Sequence, residues 1–162
     1  MKVFFLILIL YLFQTFTAFA DVKFSNYKNY KITKTNFQLE EISKGLNYPW
    51  GITFIDDENL LITEKSGRLL KINISTGEQV EISHELSVLT GSQGGLLDVL
   101  YHNNYVYFTY SHNHDGWYSS TAIARGKLIN DNIIDTEILL IAEPKINKSI
   151  HFGSRIIIKD NY

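Results

Sequence analysis

The sequence has 162 residues, of which 45% are hydrophobic and 20% charged, and its formal net charge is -2 at pH 7. This is the composition of an ordinary globular protein, and it excludes disordered and collagen-like chains. The nearly neutral charge gives no reason to expect nucleic acid or an anionic membrane surface as a partner. Because the sequence contains no cysteine, disulfide bonds and thiolate metal sites are also excluded.

Residues 1–20 are typical of a secretory signal peptide. A positive residue precedes an apolar run from Val3 to Phe13, and Ala18-Phe19-Ala20 matches the small-x-small pattern of a cleavage site. The alternative is a membrane anchor, which is disfavoured because polar residues from Gln14 onward interrupt the run before the ~20 residues of a span. The sequence therefore predicts a periplasmic or secreted protein that starts at Asp21 and has no stable membrane span.

The remaining chain predicts an all-β fold. Residues 21–40 form a polar lead-in segment with room for one strand, and from residue 41 short apolar runs alternate with turn residues without a 3.6-residue period. A first antiparallel meander is expected to have strands at 52–55, 60–63, 68–74 and 79–83. A second meander is expected at 96–101, 105–110, 121–129 and 133–141, with a polar loop at 112–120. Residues 153–158 are expected to open a third unit.

The meanders are interpreted as an internal repeat. Each unit begins at a glycine, Gly51, Gly95 or Gly153, and continues as strand, polar turn and strand. Four-stranded units of about 40–50 residues are typical of β-propeller blades, whereas a β-sandwich, the alternative, does not predict the restart. Residues 41–162 are thus predicted to be an incomplete propeller. Since two blades do not close a propeller, we expect an N-terminal fragment; the lesser alternative is a two-blade protein that closes by forming oligomers.

Gln93 and His151 are candidate site residues because of their position. Each precedes the first strand of a unit, and the first strands of propeller blades line the central channel. The two side chains are therefore expected to point towards one pocket at the channel mouth. Glutamine offers a donor and an acceptor, and histidine can take up a proton near neutral pH. The structural alternative is that Gln93 bonds turn backbone and His151 caps a strand.

The other histidines give weaker signals. His84, His102, His112 and His114 are all expected in turns or loops. His112-Asn113-His114 brings two imidazoles together, but no third metal ligand is close in sequence. A solvated loop is therefore the preferred interpretation.

Two further polar clusters have the composition of a possible binding site. Asp115, Trp117 and Tyr118 fit either a sugar site, since aromatic faces stack on sugar rings, or aromatic packing over the edge of a blade, and these interpretations are equally supported. The acidic residues 56–58 lack the ligand spacing of a calcium loop, so a solvated hairpin turn is expected.

Four motifs taken together point to a known family. They are Gly45-Leu46-Asn47-Tyr48-Pro49-Trp50-Gly51, Leu61-Ile62-Thr63-Glu64-Lys65-Ser66-Gly67-Arg68-Leu69, Gln93-Gly94-Gly95-Leu96-Leu97-Asp98-Val99 and His151-Phe152-Gly153-Ser154-Arg155. In this order they resemble the soluble quinoprotein glucose/sorbosone dehydrogenase family, and within it the bacterial periplasmic aldose sugar dehydrogenases.

The resemblance implies a six-bladed β-propeller that binds pyrroloquinoline quinone (PQQ) together with calcium. Such proteins oxidise the anomeric hydroxyl of an aldose to a lactone and pass electrons to an external acceptor. The resemblance assigns His151 as the general base, Gln93 to the pocket of cofactor and substrate, and the redox chemistry to the quinone. The calcium ligands and the remaining quinone contacts are expected beyond Tyr162.

One departure from the family pattern concerns the residue before the histidine. Some relatives have an acidic residue there, but this chain has Ile150, so no carboxylate from that position can orient the imidazole. Two hypotheses follow. The first is a PQQ-dependent sugar dehydrogenase, whose N-terminal fragment is inactive alone. The second is a non-catalytic secreted propeller that binds a carbohydrate or a protein.

Overall fold

The computed structural model describes residues 29–32, 35–148 and 150–160. The predicted signal peptide lies outside these residues. The chain divides into two compact units, residues 1–41 and 42–162. The first unit contains a hairpin of β1 (Asn29–Ile32) and β2 (Thr35–Gln38), where one strand was predicted. No helix in the described part of the chain is long and apolar enough to span a membrane.

The second unit consists of two four-stranded antiparallel sheets, each a simple meander. The first sheet contains β3 (Pro49–Phe54), β4 (Asn59–Glu64), β5 (Leu69–Asn73) and β6 (Gln79–Ile82). The second sheet contains β7 (Leu96–His102), β8 (Tyr105–Asn113), β9 (Ser119–Ile129) and β10 (Asn132–Ile141). The eight predicted strands are confirmed, and both sheets have the strand order of propeller blades.

Two-residue turns fix the register of the second sheet. Asn103 and Asn104 have φ of 50° and 64°, and Asn130 and Asp131 have φ of 47° and 59°. Two successive residues at positive φ define the turn that best matches the twist of a β-hairpin, and asparagine and aspartate tolerate this conformation. The two Asn-rich turns predicted from sequence are therefore tight hairpin turns.

The larger of two hydrophobic clusters lies between the two sheets, and the smaller one lies on the other face of the first sheet, where it contains Leu60, Ile62, Leu70 and Ile72. Leu61 in the first sheet and Phe108 in the second are both fully buried in the larger cluster. Its other buried members are Leu69, Ile82, Leu96, Val99, Val106, Tyr110, Ala122, Ala124 and Ile133. Because side chains alternate between the faces of a strand, each sheet presents one apolar face to its neighbour, as blades of a propeller do.

The two sheets also repeat in their irregularities. The pairing of β3 with β4 shifts register between Pro49 and Ile52, and that of β7 with β8 shifts between Leu96 and Val99. Each first strand therefore has a bulge at the same point, and a residue-by-residue alignment of the two sheets places Pro49 with Leu96 and Ile52 with Val99.

This alignment corrects the repeat predicted from glycines. Gly51 corresponds to Asp98, not to Gly95. The two glycines serve different contacts, since a Cβ at Gly51 would meet the backbone of β7, whereas one at Gly95 would overlap the carbonyl of Lys65. The bulge marks the repeat, and the glycine spacing does not.

Gly51 allows the first strands of the two sheets to approach closely. A Cβ at Gly51 would lie 2.8 Å from the Leu97 carbonyl oxygen and 2.9 Å from the Val99 nitrogen. The Gly51 N–H donates to Thr63 Oγ1 at 2.9 Å, and the Thr63 hydroxyl donates to the Leu97 carbonyl. One threonine thus joins the first strand of its own sheet to that of the next.

Gly51→Ala is expected to destabilise the protein by about 1–3 kcal/mol, because the added methyl group meets backbone that cannot rotate away. The measurement is urea unfolding followed by circular dichroism. Gly153→Ala is the matched control, since a Cβ there would meet only Thr121 Cγ2 at 3.9 Å. Equal midpoints for the two variants would contradict the packing described here.

Two details of the predicted secondary structure are wrong. The loop predicted at 112–120 is shorter, because β8 continues to Asn113 and pairs there with Ser119 at the start of β9. Residues 153–158 form no strand. Their backbone groups bond instead to side chains of the second sheet, where a strand would need a ladder of backbone partners.

Candidate functional site

Residues 150–156, here called the histidine segment, are held by side chains of the second sheet and of the turn before it. Gln93 lies in that turn, where Gly94 N–H donates to the Gly91 carbonyl at 2.7 Å. Ser92 has φ of 42°, and the Lys65 ammonium donates to the Ser92 carbonyl. The position of Gln93 is therefore set by its own turn and by Lys65, which directly follows β4 of the first sheet.

Gln93 and His151 are in direct contact. The His151 backbone N–H donates to Gln93 Oε1 at 2.8 Å. His151 has φ of 63°, a left-handed conformation that is unfavourable for residues other than glycine. The structural alternative was that Gln93 bonds turn backbone and His151 caps a strand. It does not describe this contact, since Gln93 bonds the histidine segment and not its own turn. The two predicted site residues are brought together.

Phe152 adds an apolar contact next to this hydrogen bond. A Cβ at Gly94 would lie 3.1 Å from Phe152 Cε2 and 3.0 Å from the Leu89 carbonyl oxygen. The phenyl ring thus occupies the space that any larger residue at position 94 would need. The Gln93-Gly94 pair therefore holds both His151 and Phe152.

The middle of the histidine segment is bonded to strands β8 and β9. Thr121 Oγ1 accepts from the Gly153 N–H at 3.1 Å, and the Thr109 hydroxyl donates to the Ser154 carbonyl at 2.6 Å. Thr109 also accepts from the Asp98 N–H at 3.0 Å, as Thr63 does from Gly51 in the first sheet. The histidine segment hence takes the place of the first strand of a next sheet.

The end of the histidine segment is bonded to a buried carboxylate. Asp98 is 2% exposed, and its Oδ2 accepts from the Ile156 N–H at 2.7 Å. The Arg155 guanidinium lies 3.3 Å from Asp98 Oδ1 but is 74% exposed, so it adds less than a desolvated ion pair. From the first sheet, Trp50 Nε1 donates to Ser154 Oγ at 2.9 Å.

The imidazole of His151 is exposed and hydrogen-bonds to none of the described residues. The same holds for the amide nitrogen of Gln93, whose oxygen alone is engaged. The site therefore offers one proton acceptor and one hydrogen-bond donor to a ligand, next to a backbone that is fixed at several points. An accessible imidazole of this kind can exchange a proton with a bound ligand.

The other histidines are partly structural. His102 ends β7, His112 lies within β8, and the prediction that both are in loops is wrong. His112 and His114 have ring centroids 4.9 Å apart, and His114 Nε2 lies 2.9 Å from Ser120 Oγ. Within the described residues no group of three or more His, Cys, Asp or Glu side chains could hold a metal ion.

Stability below neutral pH is expected to depend on His112. Burial, followed by the nearby His114 and Lys145, lowers the pKa of His112 from its ordinary 6.5. The unfolded chain therefore takes up this proton first as pH falls below about 6.5, so this contribution to stability is present above that pH and is lost below it. We expect Tm to fall less between pH 7.5 and 5.5 in His112→Asn than in wild type, measured by calorimetry. Equal losses would contradict this account.

The loop between β8 and β9 is organised by Asp115. Its carboxylate accepts from the Trp117 and Tyr118 N–H groups at 2.9 and 2.8 Å, and these bonds lower its pKa. Trp117 is 74% exposed and Tyr118 42% exposed. Packing of both rings over a blade edge, one of the two predicted alternatives, is therefore not what the structure shows for Trp117.

The acidic turn at 56–58 is satisfied by its own backbone. Asp56 Oδ1 accepts from the Glu58 and Asn59 N–H groups at 2.8 and 2.7 Å, and these bonds lower the pKa of Asp56. This is the geometry of an Asx-type hairpin turn, as predicted.

The sequence reasoning missed the side chains that hold the histidine segment. The sequence predicts Thr109 and Thr121 only as strand residues, and it places Asp98 in a family motif without a role. The available signal was polarity in a buried strand, since Asp98 stands between Leu97 and Val99 in an apolar run. A buried carboxylate needs partners, and those partners come from a distant part of the chain.

The fold and site together define a class of protein: β-propeller blades that carry, beside a glutamine, a histidine whose imidazole bonds to none of the described residues. The sequence matches the family described as Glucose / Sorbosone dehydrogenase over residues 46–162. Because the match covers most of the chain, the chain belongs to this family.

Relatives and solved structures agree with this assignment. The chain is 32% identical over 125 residues to an uncharacterized Synechocystis sp. protein (69% of the chain, 30% of the relative). It is 28% identical over 127 residues to Aldose sugar dehydrogenase YliI of Escherichia coli (74% of the chain, 34% of the relative). The chain thus spans about a third of each of these two relatives.

Among solved structures, a glucose dehydrogenase superimposes with a TM-score of 0.70 at 28% identity, covering 75% of this chain and 40% of that one. The PQQ-bound aldose sugar dehydrogenase of Streptomyces coelicolor superimposes with a TM-score of 0.58 at 20% identity, covering 65% and 34%. The latter likeness supports the fold alone.

Proposed function

We propose that this chain carries the general base of a PQQ-dependent aldose dehydrogenase. The observation that carries the proposal is the imidazole of His151, which bonds to none of the described residues and is held by its backbone beside Gln93 in a chain of the glucose/sorbosone dehydrogenase family. Family relatives are named as glucose and aldose sugar dehydrogenases, which supports an aldose as substrate.

His151 takes the proton of the anomeric hydroxyl. A ring nitrogen without a protein partner can accept a proton directly from a bound sugar, and the fixed backbone limits where that nitrogen can lie. Gln93 uses its amide nitrogen to donate to an oxygen of sugar or cofactor. PQQ, when bound, would supply the hydride acceptor, and an external acceptor would take the electrons.

The residues present fit part of a quinone site. The open donor of Gln93 and the exposed His151 ring suit a ligand rich in carbonyl and carboxylate oxygens. Calcium has no carboxylate cluster among the described residues to hold it. We propose that its ligands lie in the two thirds of the relatives' length that this chain does not span, and that this chain alone is inactive.

The N-terminal sequence supports a periplasmic or secreted location.

The test is reconstitution of the full-length product of the gene with PQQ and calcium. Dye reduction is then measured against a panel of aldoses, with non-reducing sugars as controls. We expect reduction by at least one aldose that depends on PQQ, and none by residues 21–162 alone. No reduction by any aldose would overturn the proposal.

A second candidate function is carbohydrate binding without catalysis. It is favoured by the exposure of Trp117 and Tyr118 in the loop that Asp115 organises, because exposed rings can stack on sugars. Under this alternative, sugar quenches tryptophan fluorescence, Trp117→Ala abolishes the quenching, and no PQQ-dependent reduction occurs.

A further inference from the structure

Side chains of the second sheet and its preceding turn bond to the histidine segment at both of its ends. At the start, Gln93 Oε1 accepts from the His151 N–H at 2.8 Å. At the end, Asp98 Oδ2 accepts from the Ile156 N–H at 2.7 Å. These bonds replace the backbone ladder that a strand would have, so the position of the segment depends on individual side chains.

The contact at His151 is the more informative of the two. A non-glycine residue at φ of 63° persists only where its surroundings favour it. Gln93 is exposed, and its oxygen bonds to no other described group. The bond therefore serves the conformation of His151 and contributes nothing to the packing of the core.

From these contacts we infer that Gln93 and Asp98 are positioning residues, which act through the backbone of the histidine segment to fix where the His151 imidazole lies. The expected effect on kcat rests on the proposed function, whereas the expected effect on the backbone of the histidine segment does not. The positioning role differs from the role that the family resemblance gives Gln93, because the glutamine oxygen is committed to the protein and only the amide nitrogen is left for a ligand.

Asp98 is a buried carboxylate that bonds the end of the histidine segment and not the His151 ring. Ile150 offers no carboxylate, and Asp98 reaches the segment from the bulge of β7. Its carboxylate is 2% exposed and bonds one N–H and one guanidinium. Charge-assisted bonds to a buried carboxylate are stronger than neutral ones, which suits an anchor.

Two substitutions at position 93 separate positioning from ligand contact. Gln93→Glu keeps an oxygen that can accept from the His151 N–H, whereas Gln93→Met has a similar length and no acceptor. Amide hydrogen exchange at His151 is measured in the full-length product without cofactor or sugar. We expect exchange at His151 to speed up about tenfold or more in Gln93→Met and to stay within about threefold of wild type in Gln93→Glu.

The second arm tests Asp98. Asp98→Asn keeps an acceptor for the Ile156 N–H, and Asp98→Leu does not, so faster exchange at Ile156 is expected only for leucine. Exchange at Phe108 in the core confirms that each variant is folded, and if Asp98→Leu unfolds, the Gln93 pair decides alone. In the PQQ-loaded protein Gln93→Met is expected to lower kcat more than it raises KM.

Unchanged exchange at His151 in Gln93→Met, or equal acceleration in Gln93→Glu, would overturn the inference. The exchange experiment needs no activity, so the inference can hold even if no sugar is oxidised, which would count against the proposed function only. Conversely, if the wild-type protein oxidises an aldose and exchange at His151 is unchanged in Gln93→Met, the positioning role is contradicted and the proposed function is not affected.

Discussion

His151→Asn in the full-length product is expected to lower kcat for aldose oxidation about 10²–10⁴-fold, the usual contribution of a general base. Asparagine is similar in size and polarity but cannot take up a proton. The backbone N–H at 151 still donates to Gln93, so the histidine segment keeps its anchor. The measurement is steady-state dye reduction with PQQ at saturating sugar.

His114→Asn is the matched control for that experiment. His114 lies outside the histidine segment and bonds Ser120, so its replacement is expected to leave kcat within about twofold, as for a surface substitution. If His151→Asn has the same kcat as His114→Asn, His151 is not the general base.

Leu61→Ala is expected to destabilise the protein by about 2–5 kcal/mol. Leu61 is fully buried between the two sheets, in contact with a core to which both contribute. Truncation leaves a cavity that the sheets cannot close without moving against each other. Urea unfolding followed by circular dichroism measures the loss.

Leu140→Ala makes the same chemical change at an exposed position of β10. Leu140 is 54% exposed, so the expected cost is about 0.5 kcal/mol or less. If the two leucine variants unfold at the same urea concentration, the inter-sheet core described here does not hold the sheets together.

The sheets were predictable because their sequence pattern is local. Alternation around Leu70 and Ile72 and the Asn-rich turns at 103–104 and 130–131 each encode a strand or a hairpin within a few residues. The alignment of the repeat was not predictable, because it depends on a bulge in β7. A bulge leaves no distinct residue type in the sequence.

The sequence predicted which two residues belong to the candidate site, but not the hydrogen bonds that hold them together. Gln93 and His151 stand out because a polar residue before an apolar strand is visible in sequence. Their contact joins residues 58 positions apart, and nothing local specifies that the glutamine oxygen meets a backbone N–H. Asp98 was missed for the same reason, since its partner Ile156 is far away in the chain.

The account is tested most directly by anaerobic single-turnover reduction of PQQ in the full-length product, followed by absorbance after mixing with an aldose. Wild type is expected to reduce the bound quinone, and His151→Asn to bind it equally and reduce it about 10²–10⁴-fold more slowly. Equal rates in the two proteins, or a quinone-loaded wild type that no aldose reduces, would contradict the account.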